Sequence, residues 1–170
     1  MKSYSVLLAI LLATFPLLTT ANPATAPSDA QIDRQLLDQR TATINNQAAL
    51  DAYLAKEPLQ SPLRKLTHQD RRAFLGSLVF GGNGLGSYDY TPLLNADFLD
   101  AYRILRLFGS ELSLTVVLDK FKPSNSRTGR SVATMLKRDA GLSALNSADS
   151  ECWQGTCRAR LGHICVAGGC

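Results

Sequence analysis

The chain has 170 residues, 18 Lys+Arg against 14 Asp+Glu, a formal charge of +4 and an apolar fraction of 45%. These values exclude a collagen-like repeat, an acidic disordered tail and a large multidomain enzyme, and they leave enough apolar surface to offset chain entropy. One small domain is expected, and so modest a positive excess does not indicate a nucleic-acid partner.

Residues 1–21 read as a signal peptide. Lys2 supplies a basic n-region, Val6 to Leu18 an apolar h-region, and Thr19 and Ala21 the small residues a signal peptidase needs. The apolar run is shorter than the roughly 20 residues that span a bilayer. Nothing later is apolar enough to cross, so the expectation is export to a periplasm or the extracellular space, with no membrane span in the mature chain. Residues 22–27 form a Pro/Ala/Thr-rich leader.

Residues 28–151 pattern as a helical domain. Ser28-Asp29-Ala30-Gln31 is a capping box, in which the Ser hydroxyl and the Gln side chain reciprocally satisfy first-turn amides. It opens one bent helix or two, continuing to Lys56 before Pro58, with weak points at Thr41–Thr43 and Asn45-Asn46. Thr67 to Asp70 caps a short helix with Phe74, Leu75 and Leu78 on one face. Gly81, Gly82, Gly84 and Gly86 end it and read as a helix–helix loop. Ser87 to Pro92 is a polar-aromatic loop. Thr91 or Asn95 then caps a central helix carrying Phe98, Tyr102, Leu105 and Phe108, broadened by Leu99, Ala101 and Ile104.

Glu111 to Phe121 alternates like a strand and also fits helix spacing. It reads as helix, because no partner strand is visible. Lys122 to Arg130 is a polar turn, Ser131 to Asp139 the last helix, and residues 142–151 a short polar lead into the tail. The expected fold is therefore all-α, a bundle of four to six helices with a disulfide-tied C-terminal segment at 152–170, monomeric or weakly dimeric.

The strongest chemical signal is Cys152-x4-Cys157-x7-Cys165-x4-Cys170. In an oxidising compartment this implies two disulfides. Three pairings are open. Two local loops, 152–157 with 165–170, are sterically reasonable, and so is a nested pair, 152–170 with 157–165. The nested pair is preferred, since a chain ending on Cys gains little from being tied only to its own last turn. The spacing does not match the usual zinc knuckle, and oxidation would consume the thiolates, so no metal is expected.

No catalytic constellation stands out. His68 and His163 are the only His residues, and no Gly-x-Ser-x-Gly, His-Glu-x-x-His, calcium loop or P-loop accompanies them. Gly81–Gly86 lacks the strand context of a phosphate loop. Asp97 and Asp100 share a helix N-terminus, where negative charge is favoured for structural reasons. No cofactor is expected. The basic residues Arg64, Lys65, Arg71, Arg72, Arg103, Arg106, Lys137 and Arg138 read as solvated helix faces able to receive an acidic partner.

The partner-binding candidates are Tyr88, Asp89 and Tyr90, aromatics flanking an acid in a polar loop. The resulting expectation is an exported, non-catalytic binding protein of the inhibitor or immunity type, acting on a protein partner. Two alternatives stand beside it. One is a precursor cut after the dibasic Lys137-Arg138 to release residues 139–170; the other is an enzyme whose site the sequence does not announce.

Overall fold

A computed structural model describes residues 28–138 and 145–170. The expected signal peptide, the leader and the segment just after Arg138 lie outside the described residues. The fold is mixed α/β, which corrects the all-α expectation. Among the described residues are five α-helices, α1 (Asp29–Arg40), α2 (Gln47–Ala55), α3 (His68–Gly76), α4 (Phe98–Arg106) and α5 (Arg127–Arg138), and a four-stranded antiparallel sheet. Its strands are β1 (Val79–Gly81), β2 (Gly84–Asp89), β3 (Asn146–Trp153) and β4 (Thr156–Val166), in the order β1-β2-β4-β3.

The helix signals act locally as their chemistry requires. The Ser28 amide donates to Gln31 Oε1 at 2.9 Å, the return half of the capping box. The weak stretch at residues 41–46 divides α1 from α2, and Asn46 caps α2 by accepting from the Ala49 amide at 2.9 Å. Thr67 caps α3 through the Asp70 amide at 3.1 Å. The cap of α4 is Asp97, which accepts from the Leu99 amide at 2.9 Å; neither Thr91 nor Asn95 fills that position. Glu111–Lys120 is a 3-10 helix, broken in φ/ψ at Val117. Leu114 and Val117, three residues apart, are its buried apolar positions, as a three-residue turn demands.

The core lies where α3, α4 and β2 meet. Phe74 meets Tyr88 and Phe108 edge-on, with ring centroids 6.0 and 5.9 Å apart. Such geometry sets the positive ring edge against the negative ring face. On α4, Phe98, Leu99, Ala101, Ile104 and Leu105 are all buried, which is the breadth expected of a central helix.

The glycine run expected to be a helix–helix loop is instead the β1–β2 hairpin. It presents a bare surface on which residues 168–170 lie. A Cβ at Gly81 would sit 1.8 Å from the Gly169 carbonyl oxygen, and one at Gly86 would sit 2.9 Å from the same atom. The expected tail from Cys152 is part of the sheet, because β3 crosses that position and β4 pairs with β2 through Ser87–Cys165, Tyr88–Ile164 and Asp89–His163.

Candidate functional site

The β3–β4 hairpin is folded over on itself. Ala148 pairs with Ile164 and Ser150 with Ala159, so Asp149 alone faces residues 160–163 of β4. Asp149 (φ 52°) and Gly162 (φ 79°) both adopt left-handed backbone at this bulge. The consequence shows in Cys157 and Cys165. Eight residues apart in one strand, they would stand about 26 Å apart if extended, yet their Cα atoms are 5.8 Å apart. The outer arm, residues 150–160, therefore doubles back toward the inner arm.

Asp149 holds the bend. Its Oδ1 accepts from the Gly162 amide at 3.0 Å and from the Tyr90 hydroxyl at 3.0 Å, and its Oδ2 pairs with Lys120 Nζ at 3.3 Å. Lys120 also donates to the Tyr90 hydroxyl and lies 4.9 Å from the centre of that ring. The Gly162 amide, then the Tyr90 hydroxyl and Lys120, pull the Asp149 carboxyl below its usual range. The bond to Tyr90, with Asp149 behind it, raises Lys120.

Two disulfides fix the folded arm. Cys157 bonds Cys165 and Cys152 bonds Cys170, the nested pairing. The sulfurs of Cys157, Cys165 and Cys170 lie within 4.8 Å of one another. All are spent in bridges, so they offer no thiolate for a metal.

The arm also carries a buried acid. Glu151 is 5% exposed and receives Arg158 at 2.7 Å on Oε1 and Arg160 on Oε2. Arg160, then Arg158, hold its carboxyl below the usual range. The same Arg158 stacks on Trp153, its guanidinium carbon 3.9 Å from the indole centre. Such a contact is worth about 0.5–1 kcal/mol at an exposed site. Trp153 nevertheless stays 50% exposed and Leu161 86% exposed. The Trp153-Gln154-Gly155-Thr156 turn, with positive φ at Gln154 and Gly155, sets Trp153 at the arm's tip.

The residues singled out in the sequence fall differently. Tyr88 and Tyr90 are buried, at 0% and 3% exposure, and do not form a contact surface. Tyr88 lies in the aromatic core, its hydroxyl 2.7 Å from Ser113 Oγ, and burial drives its acidity far down. Tyr90 braces the bulge. Asp89 pairs with His163 in the sheet and accepts from the Thr91 amide at 2.8 Å. The four Cys come together as two bridges. His68 is exposed and bonds Arg72 at 3.2 Å, while His163 is buried in β4. Asp97 accepts from Ser124 Oγ at 2.8 Å in addition to capping α4, and Asp100 pairs with Arg103 at 3.7 Å. Lys137 and Arg138 occupy the last turn of α5, where cations suit the helix dipole. The hairpin that follows Arg138 in sequence is paired to β2.

Sequence reasoning missed Trp153, Arg158, Arg160, Glu151, Asp149 and Lys120. Glu-Cys-Trp-Gln-Gly-Thr-Cys-Arg-Ala-Arg does hold a signal: an acid, an aromatic and two Arg around a Gly turn, between two Cys. Comparison with family models, with characterised proteins and with solved structures finds no match.

Proposed function

We propose that the protein is an exported binding protein of the inhibitor or immunity type, gripping a protein partner with the outer arm of its β3–β4 hairpin. The observation that carries this reading is the half-exposed Trp153 with the Arg158 guanidinium stacked on it, on an arm braced by two disulfides. Trp and Arg are the residue types that dominate binding hot spots. A rigid arm loses little conformational freedom on docking, so more of the contact energy appears as affinity. Two disulfides suit an oxidising compartment, and among the described residues no helix is long and apolar enough to cross a membrane.

A photo-crosslinking residue placed at position 154 or 156, exposed in the turn beside Trp153, tests this in the native compartment. It should give one discrete protein adduct, and the same residue at Leu59, 87% exposed and outside the hairpin, should give none. Equal labelling from all three positions would refute the assignment.

A further inference from the structure

We infer that the outer face of α5 is a second binding surface, built for an acidic peptide segment. This stands independently of the hairpin. Arg127–Arg138 contains no acidic residue. Its Arg127, Arg130, Ser131, Thr134, Met135 and Arg138 all lie along one face of the helix and border a shallow groove of about 610 Å3, largely open to solvent. On the other flank, Lys122 and Lys137 line an adjoining cleft that shares Arg130 and Thr134, with Asp119 the one acidic lining residue among the described residues. Among the described residues, none of these five cations forms an ion pair.

The helix that bears this face is held in place. Arg130 donates to the carbonyls of Ser124 and Asn125 at 3.2 and 2.9 Å, which fixes one edge of its guanidinium. Gly129 lies so close to Ser124 that a Cβ would come within 2.0 Å of its Oγ, and Ser124 in turn donates to Asp97. α5 is therefore pinned against the start of α4. Arg forks and neighbouring hydroxyls suit carboxylate oxygens.

Charge complementarity alone would also admit an anionic membrane or a nucleic acid, and two observations favour the peptide. Helices that lie in a membrane interface bury an apolar face in it. Here Leu136 is 1% exposed and Val132 and Ala133 pack on the core, which leaves Met135 as the sole large apolar side chain in the groove among the described residues. Among the described residues no aromatic lines the groove, and the two that line the adjoining cleft, Phe98 and Phe121, are buried too deeply to stack a base.

The test titrates the full exported protein with a labelled deca-glutamate peptide at low and high salt. Saturable binding that weakens with salt is expected. Arg127→Glu with Arg138→Glu should weaken it at least about tenfold. Lys56→Glu with Lys65→Glu, an equal charge change at exposed positions elsewhere, should leave it unchanged, and so should Trp153→Ala. Circular dichroism confirms that each variant is folded. Absence of saturable binding, or equal losses from the two charge reversals, would overturn the inference. So would stronger binding to phosphatidylglycerol vesicles or a DNA oligonucleotide than to the peptide, if lost in the Arg127/Arg138 variant.

Discussion

Gly81→Ala places a methyl group where residues 168–170 cross the β1–β2 hairpin. The new Cβ would lie 1.8 Å from the Gly169 carbonyl oxygen and 3.0 Å from its carbon. Both are backbone atoms, so no rotamer change relieves the overlap. Either the β1 edge or the segment must move, and the Cys152–Cys170 bridge resists movement of the segment. Overpacking of a well-packed site costs roughly 1–3 kcal/mol, and the rigid neighbour places this case at about 2–3 kcal/mol. In a domain of this size that is a fall in Tm of roughly 4–12 °C. Gly82→Ala is the matched control, since its Cβ meets nothing within 4 Å, and its effect should stay within about 0.5 kcal/mol. Calorimetry of the oxidised proteins reads both. After reduction the segment can lift away, so the penalty at Gly81 should shrink. A Gly81→Ala protein that melts with the wild type, or one equally destabilised before and after reduction, would refute this seating of the segment.

Replacing Cys152 and Cys170 by Ser opens the larger loop, of separation 18, and should cost about 3 kcal/mol in the chain-entropy picture. Removing Cys157 and Cys165, of separation 8, should cost about 2.5 kcal/mol, and urea unfolding ranks the two. Acid should loosen the hairpin before the body. Asp149 and Glu151 titrate below their ordinary values of 3.8 and 4.5, so their stabilisation is complete above those values and is lost as pH falls through the depressed ones. Glu111 is raised by burial, so its protonation favours the folded body as pH falls. The fluorescence of Trp153, the single Trp, should therefore change at higher pH than the far-UV circular dichroism; coincident transitions would contradict this.

Helix caps were legible because capping is local: Ser28, Thr67 and the break at residues 41–46 act within one turn of their own position. The sheet was not legible, for two physical reasons. Gly84 to Tyr88 is buried throughout, so β2 shows no alternation of apolar and polar residues. The outer part of β4 is exposed throughout and is held by disulfides and the Glu151 clamp rather than by an apolar face. The glycine run and Gly168-Gly169 were both visible, but their mutual packing joins residues more than 80 positions apart. Tyr88 and Tyr90 looked like surface anchors because their polar neighbours suggested a loop. Their hydroxyls are instead met inside the fold by Ser113, and by Lys120 and Asp149. Trp153 was masked by the Cys around it, whose pairing drew the reading toward a structural tail.

The most direct test of the binding proposal uses Trp153 itself, the single Trp of the chain. The partner recovered from the position-154 adduct is titrated into the unmodified protein while the emission spectrum is followed. Burial of the half-exposed indole should shift the emission to shorter wavelength in a saturable manner. Trp153→Ala, measured by calorimetry, should then weaken binding by about 2 kcal/mol or more, roughly 30-fold. An unshifted spectrum at saturation, together with an unchanged Kd for Trp153→Ala, would show that the partner docks elsewhere and that the hairpin arm is not the binding surface.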